Sequence, residues 1–301
     1  MYRPFRFGVV TGNALSRAEW VAKARRAEEL GYATWLVPDH ITVGIAPLTA
    51  LAVAAEATTS LRLGSFVYCN DFRHPALLAK EAATLDLLSE GRFELGLGAG
   101  YLPADYTQTG IPFESPGTRV SRLEEALQIM QHFFTKETVT FSGTYYHISE
   151  MQGMPKPVQR PHPPIFLGGN GKRVLSLAGK FADSIGISFA AWGGEAKEGT
   201  PEDIAQRVAW VREAAGARFE QLELGYTVYR LLMPNGKSQA DSSRTVSAPV
   251  SPQSLHQLSG SIDQMVEEAL DRRERYGFSY IQVPEQYMEV FAPVVARLTG
   301  K

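Results

Sequence analysis

At 301 residues the chain can hold one parallel barrel of about 250 residues or more, or two smaller domains. Hydrophobic residues make up 44% and charged residues 21%, ordinary usage for a globular chain, which argues against a disordered or membrane-embedded protein. A formal net charge of −2 offers no global attraction for nucleic acid or an anionic membrane, so any anion site has to be local.

The first residues, Met1 to Phe7, run straight into an apolar strand pattern without the layout of a signal peptide. No stretch approaches the roughly 20 apolar residues of a membrane span. The single cysteine, Cys69, excludes an intrachain disulfide and a multi-cysteine metal site. A cytoplasmic, reducing location is the expectation.

In chain order, eight short apolar runs read as strands: 5–10, 34–37, 61–68, 92–97, 164–167, 183–187, 222–230 and 279–283. Between them, segments 16–30, 75–88, 121–134, 172–181, 201–215 and 262–276 space apolar residues three or four apart, the period of a helix with one buried face. Ser16 followed by Glu19 is a capping-box pattern, and Pro75 and Pro201 suit first helical turns. Residues 138–148 alternate β-branched and aromatic side chains around Ser142-Gly143 and read as a hairpin inserted before the fifth strand. Residues 235–253, rich in Ser, Pro and Gln, read as a long loop after the seventh strand, either a lid or a disordered stretch. The alternation is that of a single α/β domain over residues 1–301, a closed (β/α)8 TIM barrel, because no strand cluster marks the topological reversal of an open sheet.

A barrel places its chemistry in the loops after the strands. Those positions hold Asn13, Asp39-His40, Tyr68-Cys69, Gly98-Ala99-Gly100-Tyr101, Gly168-Gly169-Asn170-Gly171, Trp192, Tyr229 and Glu285. His40 can exchange a proton near neutrality, although an Asp-His pair after a strand also serves as loop backbone support. Gly168 to Gly171 opens a helix beginning Lys172-Arg173, which suits phosphate held by backbone N–H groups, or a tight turn with no ligand. Gly98 and Gly100 allow backbone to approach a flat ligand, but the Leu102-Pro103 that follows departs from a dinucleotide fingerprint. Tyr68, Tyr101, Trp192 and Tyr229 can stack on a ring or substrate, or fill the core. The six histidines show no metal-ligand spacing, so no metal is expected.

The run from Phe72-Arg73-His74-Pro75 through Leu85-Asp86-Leu87-Leu88-Ser89-Glu90-Gly91-Arg92 to Gly98-Ala99-Gly100-Tyr101, followed by Pro161-His162-Pro163-Pro164 before Ile165-Phe166-Leu167-Gly168-Gly169, resembles the luciferase-like monooxygenase family, and within it the branch of oxidoreductases that use coenzyme F420. The resemblance implies a deazaflavin held by Asp39 and flanked by Gly98, Ala99, Gly100 and Tyr101, with Phe66, Val67 and Cys69 behind its ring and Gly168 to Gly171 on its phosphate. It implies a non-proline cis peptide at Phe66–Val67, a proton moved by His40 or Tyr101, and a substrate pocket including Asn13, Tyr68, Trp192 and Tyr229. It further implies hydride transfer to or from a small organic substrate, and a homodimer. The alternative cofactor is FMN, with O2 and a flavin reductase partner; a barrel that binds ligand without catalysis is a third reading. Sugar-phosphate dehydrogenases of the family place Trp and Glu near the ring, whereas the matching positions here are Gly44 and Tyr101, so glucose 6-phosphate is not the expected substrate.

Overall fold

The computed structural model describes residues 3–189, 199–234 and 254–301. The segment 235–253 and Trp192 lie outside the described residues.

Strands β1 (Arg6–Val10), β2 (Thr34–Val37), β3 (Arg62–Ser65), β4 (Tyr68–Cys69) and β5 (Phe93–Gly98) precede a hairpin of β6 (Thr138–Ser142) and β7 (His147–Gln152). They are followed by β8 (Ile165–Gly169), β9 (Ser184–Ile187), β10 (Glu223–Thr227), the short β11 (Arg230–Leu232) and β12 (Gln257–Ser259), and β13 (Phe278–Pro284). The main sheet runs β3-β2-β1-β13-β10-β9-β8-β5-β4 and closes where β3 also pairs with β5. Every pairing in it is parallel, with Val9 opposite Trp35, Leu95 opposite Ile165 and Leu63 opposite Phe93. Counting β3 and β4 as one interrupted strand, this is an eight-stranded closed barrel, as expected. The interruption is at Phe66–Val67, whose peptide bond is cis.

Side chains that alternate along a strand face opposite sides of the sheet. Outward residues such as Phe7, Val9, Trp35 and Leu95 are fully buried under the helices, while Leu36, Phe166 and Tyr280 fill the barrel interior. Gly8 makes that interior packing possible, because a Cβ there would overlap Thr34 Oγ1 and press within 3.0 Å of Leu36. At the amino-terminal end of the barrel Arg6 bridges Glu94 and Glu223, with Glu94 also taking Arg62, so the charges that plug this end are paired.

Helices α1 (Arg17–Glu29), α2 (Pro47–Ala57), α3 (Pro75–Leu88), α4 (Pro103–Thr107), α5 (Pro116–Thr135), α6 (Lys172–Phe181), α7 (Pro201–Ala215), α8 (Ile262–Tyr276) and α9 (Met288–Leu298) surround the sheet. Ser16 caps α1 by accepting from Glu19 N, but the Glu19 carboxylate turns to Leu15 N, so only half of the expected capping box forms. The full reciprocal box occurs at α7, between Thr200 and Asp203, and at α8, between Ser261 and Gln264. α5 starts five residues earlier than its periodicity predicts, capped by Ser115 with Pro116 in the first turn. The expected strand 222–230 stops at Thr227, because the next residues turn away: Tyr229 N donates to His256 O at 2.9 Å. Among the described residues no helix is long and apolar enough to cross a membrane.

Candidate functional site

A cavity of about 1040 Å³ opens at the carboxyl ends of the barrel strands. Of the sequence-predicted residues it is lined by Asn13, Asp39, His40, Phe66, Val67, Cys69, Gly98 to Tyr101, Gly168 to Gly171 and Tyr229. Tyr68 does not reach it. The residue is 1% exposed in the outer core, with the Arg73 guanidinium 4.9 Å from its ring centroid. The physical reason is alternation: the strand resumes after the interruption, with Tyr68 opposite Leu97 and Cys69 opposite Gly98, so Cys69 faces the cavity and Tyr68 the helices.

His40 follows β2. Its Nδ1 lies 2.8 Å from Asp105 Oδ2 and its Nε2 3.1 Å from the Tyr101 hydroxyl. The two rings are perpendicular, with centroids 5.6 Å apart. Asp105, in the short helix α4, also accepts from Ile41 N, Thr42 N and Thr42 Oγ1 at 3.1, 3.2 and 2.8 Å. Burial alone would raise its carboxyl; the hydrogen bonds from His40 and Thr42 outweigh that and hold it below the ordinary carboxylate range. Burial, with Tyr229 and Asp105 nearby, raises the Tyr101 phenol, so its hydroxyl keeps its proton.

Asp39 is engaged by the protein itself. Arg73 grips both carboxylate oxygens, at 2.6 and 3.0 Å, and Cys69 N donates to Oδ2 at 3.0 Å. The carboxylate therefore anchors the resumed third strand at the cavity floor. The Cys69 thiol beside it is 5% exposed, and burial pushes it up to about 11, which leaves it protonated and unreactive near neutrality.

The turn after β5 is tied from behind. Arg119, on α5 and 6% exposed, donates to the carbonyls of Ala99 and Gly100 at 3.1 and 3.3 Å and to that of Glu114. Gly100 has φ +78°, and a Cβ there would strike Tyr106 and Cys69, so the sharp turn that presents Tyr101 requires glycine.

Across the cavity, β8 ends in Gly168-Gly169 and α6 begins after Gly171 with no side-chain cap. The glycines have different jobs. A Cβ on Gly169 would overlap Val174 of α6, so this position brings helix and strand together, whereas a Cβ on Gly171 would meet nothing within 4 Å. Asn170 does not point freely into the cavity: its Oδ1 accepts from Arg207 at 3.2 Å. Arg173 is spent on α5, donating to Gly117 O at 2.7 Å and Ser121 Oγ at 2.5 Å.

Sequence reasoning missed Asp105, Arg73 and Arg119. Each acts through a partner 34 or more residues away or, for Arg119, 19 and 20 residues away, and none carries a local spacing signal. Among the described residues no three His, Cys, Asp or Glu side chains gather as a metal site.

The family model for luciferase-like monooxygenase matches residues 2–240. The chain belongs to this family. Among curated family relatives it is 29% identical over 211 residues to the F420-dependent glucose-6-phosphate dehydrogenase of Amycolatopsis mediterranei, covering 67% of this chain and 62% of that protein. It is 28% identical over 155 residues to the FMNH2-dependent dimethylsulfone monooxygenase of Pseudomonas putida, covering 52% of this chain and 40% of that one. The structure of coenzyme F420 dependent tetrahydromethanopterin reductase from Methanopyrus kandleri superposes with a TM-score of 0.78 over 99% of this chain and 100% of the other, at 16% identity, a likeness of fold.

The residues present fit a flavin-type cofactor. The cavity is at the upper end of the usual few hundred to about 1,000 Å³ of small-molecule sites, enough for a tricyclic ring and a second small molecule. At one end the α6 terminus, which has no side-chain cap, presents first-turn N–H groups of the kind that bind phosphate, beside the open space at Gly171. At Gly98 a Cβ would come within 2.7 Å of Val67, so strand backbone and the Phe66–Val67 bulge lie close together as one floor.

Proposed function

We propose that the protein is an oxidoreductase that uses coenzyme F420 to move a hydride to or from a small organic substrate in the barrel mouth. The observation that carries this reading is the hydrogen-bonded His40–Tyr101 pair lining the same cavity as the uncapped α6 terminus. A hydride that enters or leaves a carbonyl or alcohol carbon needs a proton moved at the adjoining oxygen, and this pair handles protons where substrate would lie.

When bound, the deazaflavin supplies the hydride acceptor or donor. The chain supplies the rest. Gly168 to Gly171 and the α6 amides would hold its phosphate, and Gly98 to Gly100 would flank the ring. Phe66, Val67 and Cys69 would back it. Asp39 keeps that floor in place through Arg73 and Cys69 N. His40 or Tyr101 would give or take the substrate proton, with Asn13 and Tyr229 completing the pocket wall.

Titrating the purified protein with F420 and with FMN, then following hydride exchange under argon across a panel of alcohols, carbonyls, alkenes and imines, tests the reading. Binding of F420 with oxygen-independent turnover is expected, and Tyr101→Phe or His40→Gln should slow it by roughly 10²–10⁴ with cofactor affinity kept. Tight FMN binding with oxygen-dependent turnover would replace this reading with that of an FMN monooxygenase served by a flavin reductase, which similarity to the dimethylsulfone monooxygenase supports.

A further inference from the structure

We propose that Asp105 is the positioning residue of an Asp105–His40–Tyr101 relay, fixing His40 as the Nδ1–H tautomer so that Tyr101, and not His40, exchanges the proton with the substrate. The inference rests on the hydride-transfer reading for its substrate, while the tautomer itself is a property of the chain alone.

The argument runs from the buried end outward. The Asp105 side chain is 2% exposed. Its Oδ1 takes three donors from the Ile41-Thr42 loop, which holds the carboxylate rigid and leaves Oδ2 for the imidazole. An ionised carboxylate can only accept. Nδ1 at 2.8 Å must therefore be the donor, and a neutral imidazole protonated on Nδ1 presents a lone pair on Nε2. That lone pair lies 3.1 Å from the Tyr101 hydroxyl, which donates to it. Both ring nitrogens of His40 are then committed. A hydroxyl has one proton to give and lone pairs that still accept, so the Tyr101 oxygen can take a hydrogen bond from a substrate hydroxyl while its own proton points at His40. In the oxidising direction the substrate O–H proton passes to the Tyr101 oxygen as the Tyr101 proton passes to Nε2, leaving imidazolium beside the Asp105 carboxylate. The reducing direction is the reverse. The carboxylate is separated from the reacting atoms by two side chains, so its effect is orientation and charge balance.

The test is nitrogen NMR on cofactor-free protein labelled with 15N-histidine, with the His40 signals assigned by their loss in His40→Gln. In the wild type, at a pH where the imidazole is neutral, Nδ1 is expected to show the protonated-type shift and Nε2 the unprotonated type. In Asp105→Asn the amide can turn its NH2 toward Nδ1, so the Nε2–H tautomer should become populated, kcat should fall about 10²-fold and KM should stay within about twofold. Asp105→Glu should recover part of kcat and of the Nδ1–H signal. An Nε2–H tautomer in the wild type overturns the proposal even if the Asp105 variants fail to fold. An unchanged tautomer in folded Asp105→Asn, or a loss confined to KM, also overturns it. If the tautomer is as expected and no hydride exchange is found with any substrate, the relay geometry stands and the hydride-transfer reading fails.

Discussion

Acidification is expected to destabilise the cavity rim through one buried histidine. His256 is 6% exposed, its Nδ1 lies 2.7 Å from Thr227 O at the end of β10, and its Nε2 accepts from Phe189 N at 2.9 Å. The bond from Phe189 needs an unprotonated Nε2, whereas the Nδ1–H donated to Thr227 survives protonation. Burial, together with the nearby Arg272 charge, outweighs the Thr227 carbonyl and lowers this imidazole from 6.5 to about 4. The unfolded chain binds a proton at this residue below about 6.5 while the folded chain refuses it until about 4, so stability rises with pH across that window and is fully present above it. Charging the buried ring costs about 3 kcal/mol, taking about 1.4 kcal/mol for each tenfold change in proton activity. Urea unfolding at about pH 7.5 and about pH 4.5 measures it, in the wild type and in His256→Gln, whose amide can both donate and accept but does not titrate. The variant should start about 1–3 kcal/mol less stable, from imperfect bonds, and should lose about 3 kcal/mol less than the wild type on acidification. Equal losses in the two proteins would refute the reasoning and move the acid sensitivity to the carboxylates.

Two further substitutions, both in the turn between β8 and α6, separate folding from binding. Gly169→Val is expected to lower the melting temperature, since overlap with Val174 on α6 costs about 1–3 kcal/mol, whereas Gly171→Val should melt near the wild type and weaken cofactor binding in a spectroscopic titration. Arg119→Met would strand the carbonyls of Ala99, Gly100 and Glu114; a loss of about 1–3 kcal/mol in urea unfolding, with weaker cofactor binding, is expected, and wild-type values for both would show that the Tyr101 turn holds itself.

The barrel was legible because buried parallel strands are short apolar runs and their helices carry one apolar face. The elements missed are those where that contrast is weak. α2, Pro-Leu-Thr-Ala-Leu-Ala-Val-Ala-Ala-Glu-Ala, has small apolar residues on every side, and α9 contains Pro293 in its middle, which reads as a break. At the site, the rule that chemistry follows the strands located His40, Tyr101 and the glycine turns after β5 and β8, but passed over Tyr106, Phe166, Gly186 and Tyr226, which also line the cavity. It misplaced Tyr68, because an interruption two residues earlier resets which side chains face inward. Asp105 and Arg73 were invisible for a different reason. A carboxylate or guanidinium becomes functional here only through its partner, and the partners His40 and Asp39 are 65 and 34 residues away.

That same distance explains why the relay depends on the closed sheet. His40 follows β2, while Tyr101 and Asp105 follow β5, and in the barrel these two strands flank the interrupted third strand. Strands one place apart lie roughly 9–10 Å from each other. An imidazole and a phenol can close such a gap only if both lean across the strand between them and that strand's end stays low. Asp39 enforces the second condition by holding Cys69 N and Arg73, and glycine at Gly100 enforces the first by turning the chain sharply before Tyr101. The two residues of the Asp39-His40 pair thus divide the work: the carboxylate fixes the floor over which the imidazole reaches. Exchanging Asp39 for Asn should therefore lengthen the His40–Tyr101 separation without touching either ring, a geometric effect that a direct hydrogen bond from Asp39 to the cofactor would not produce.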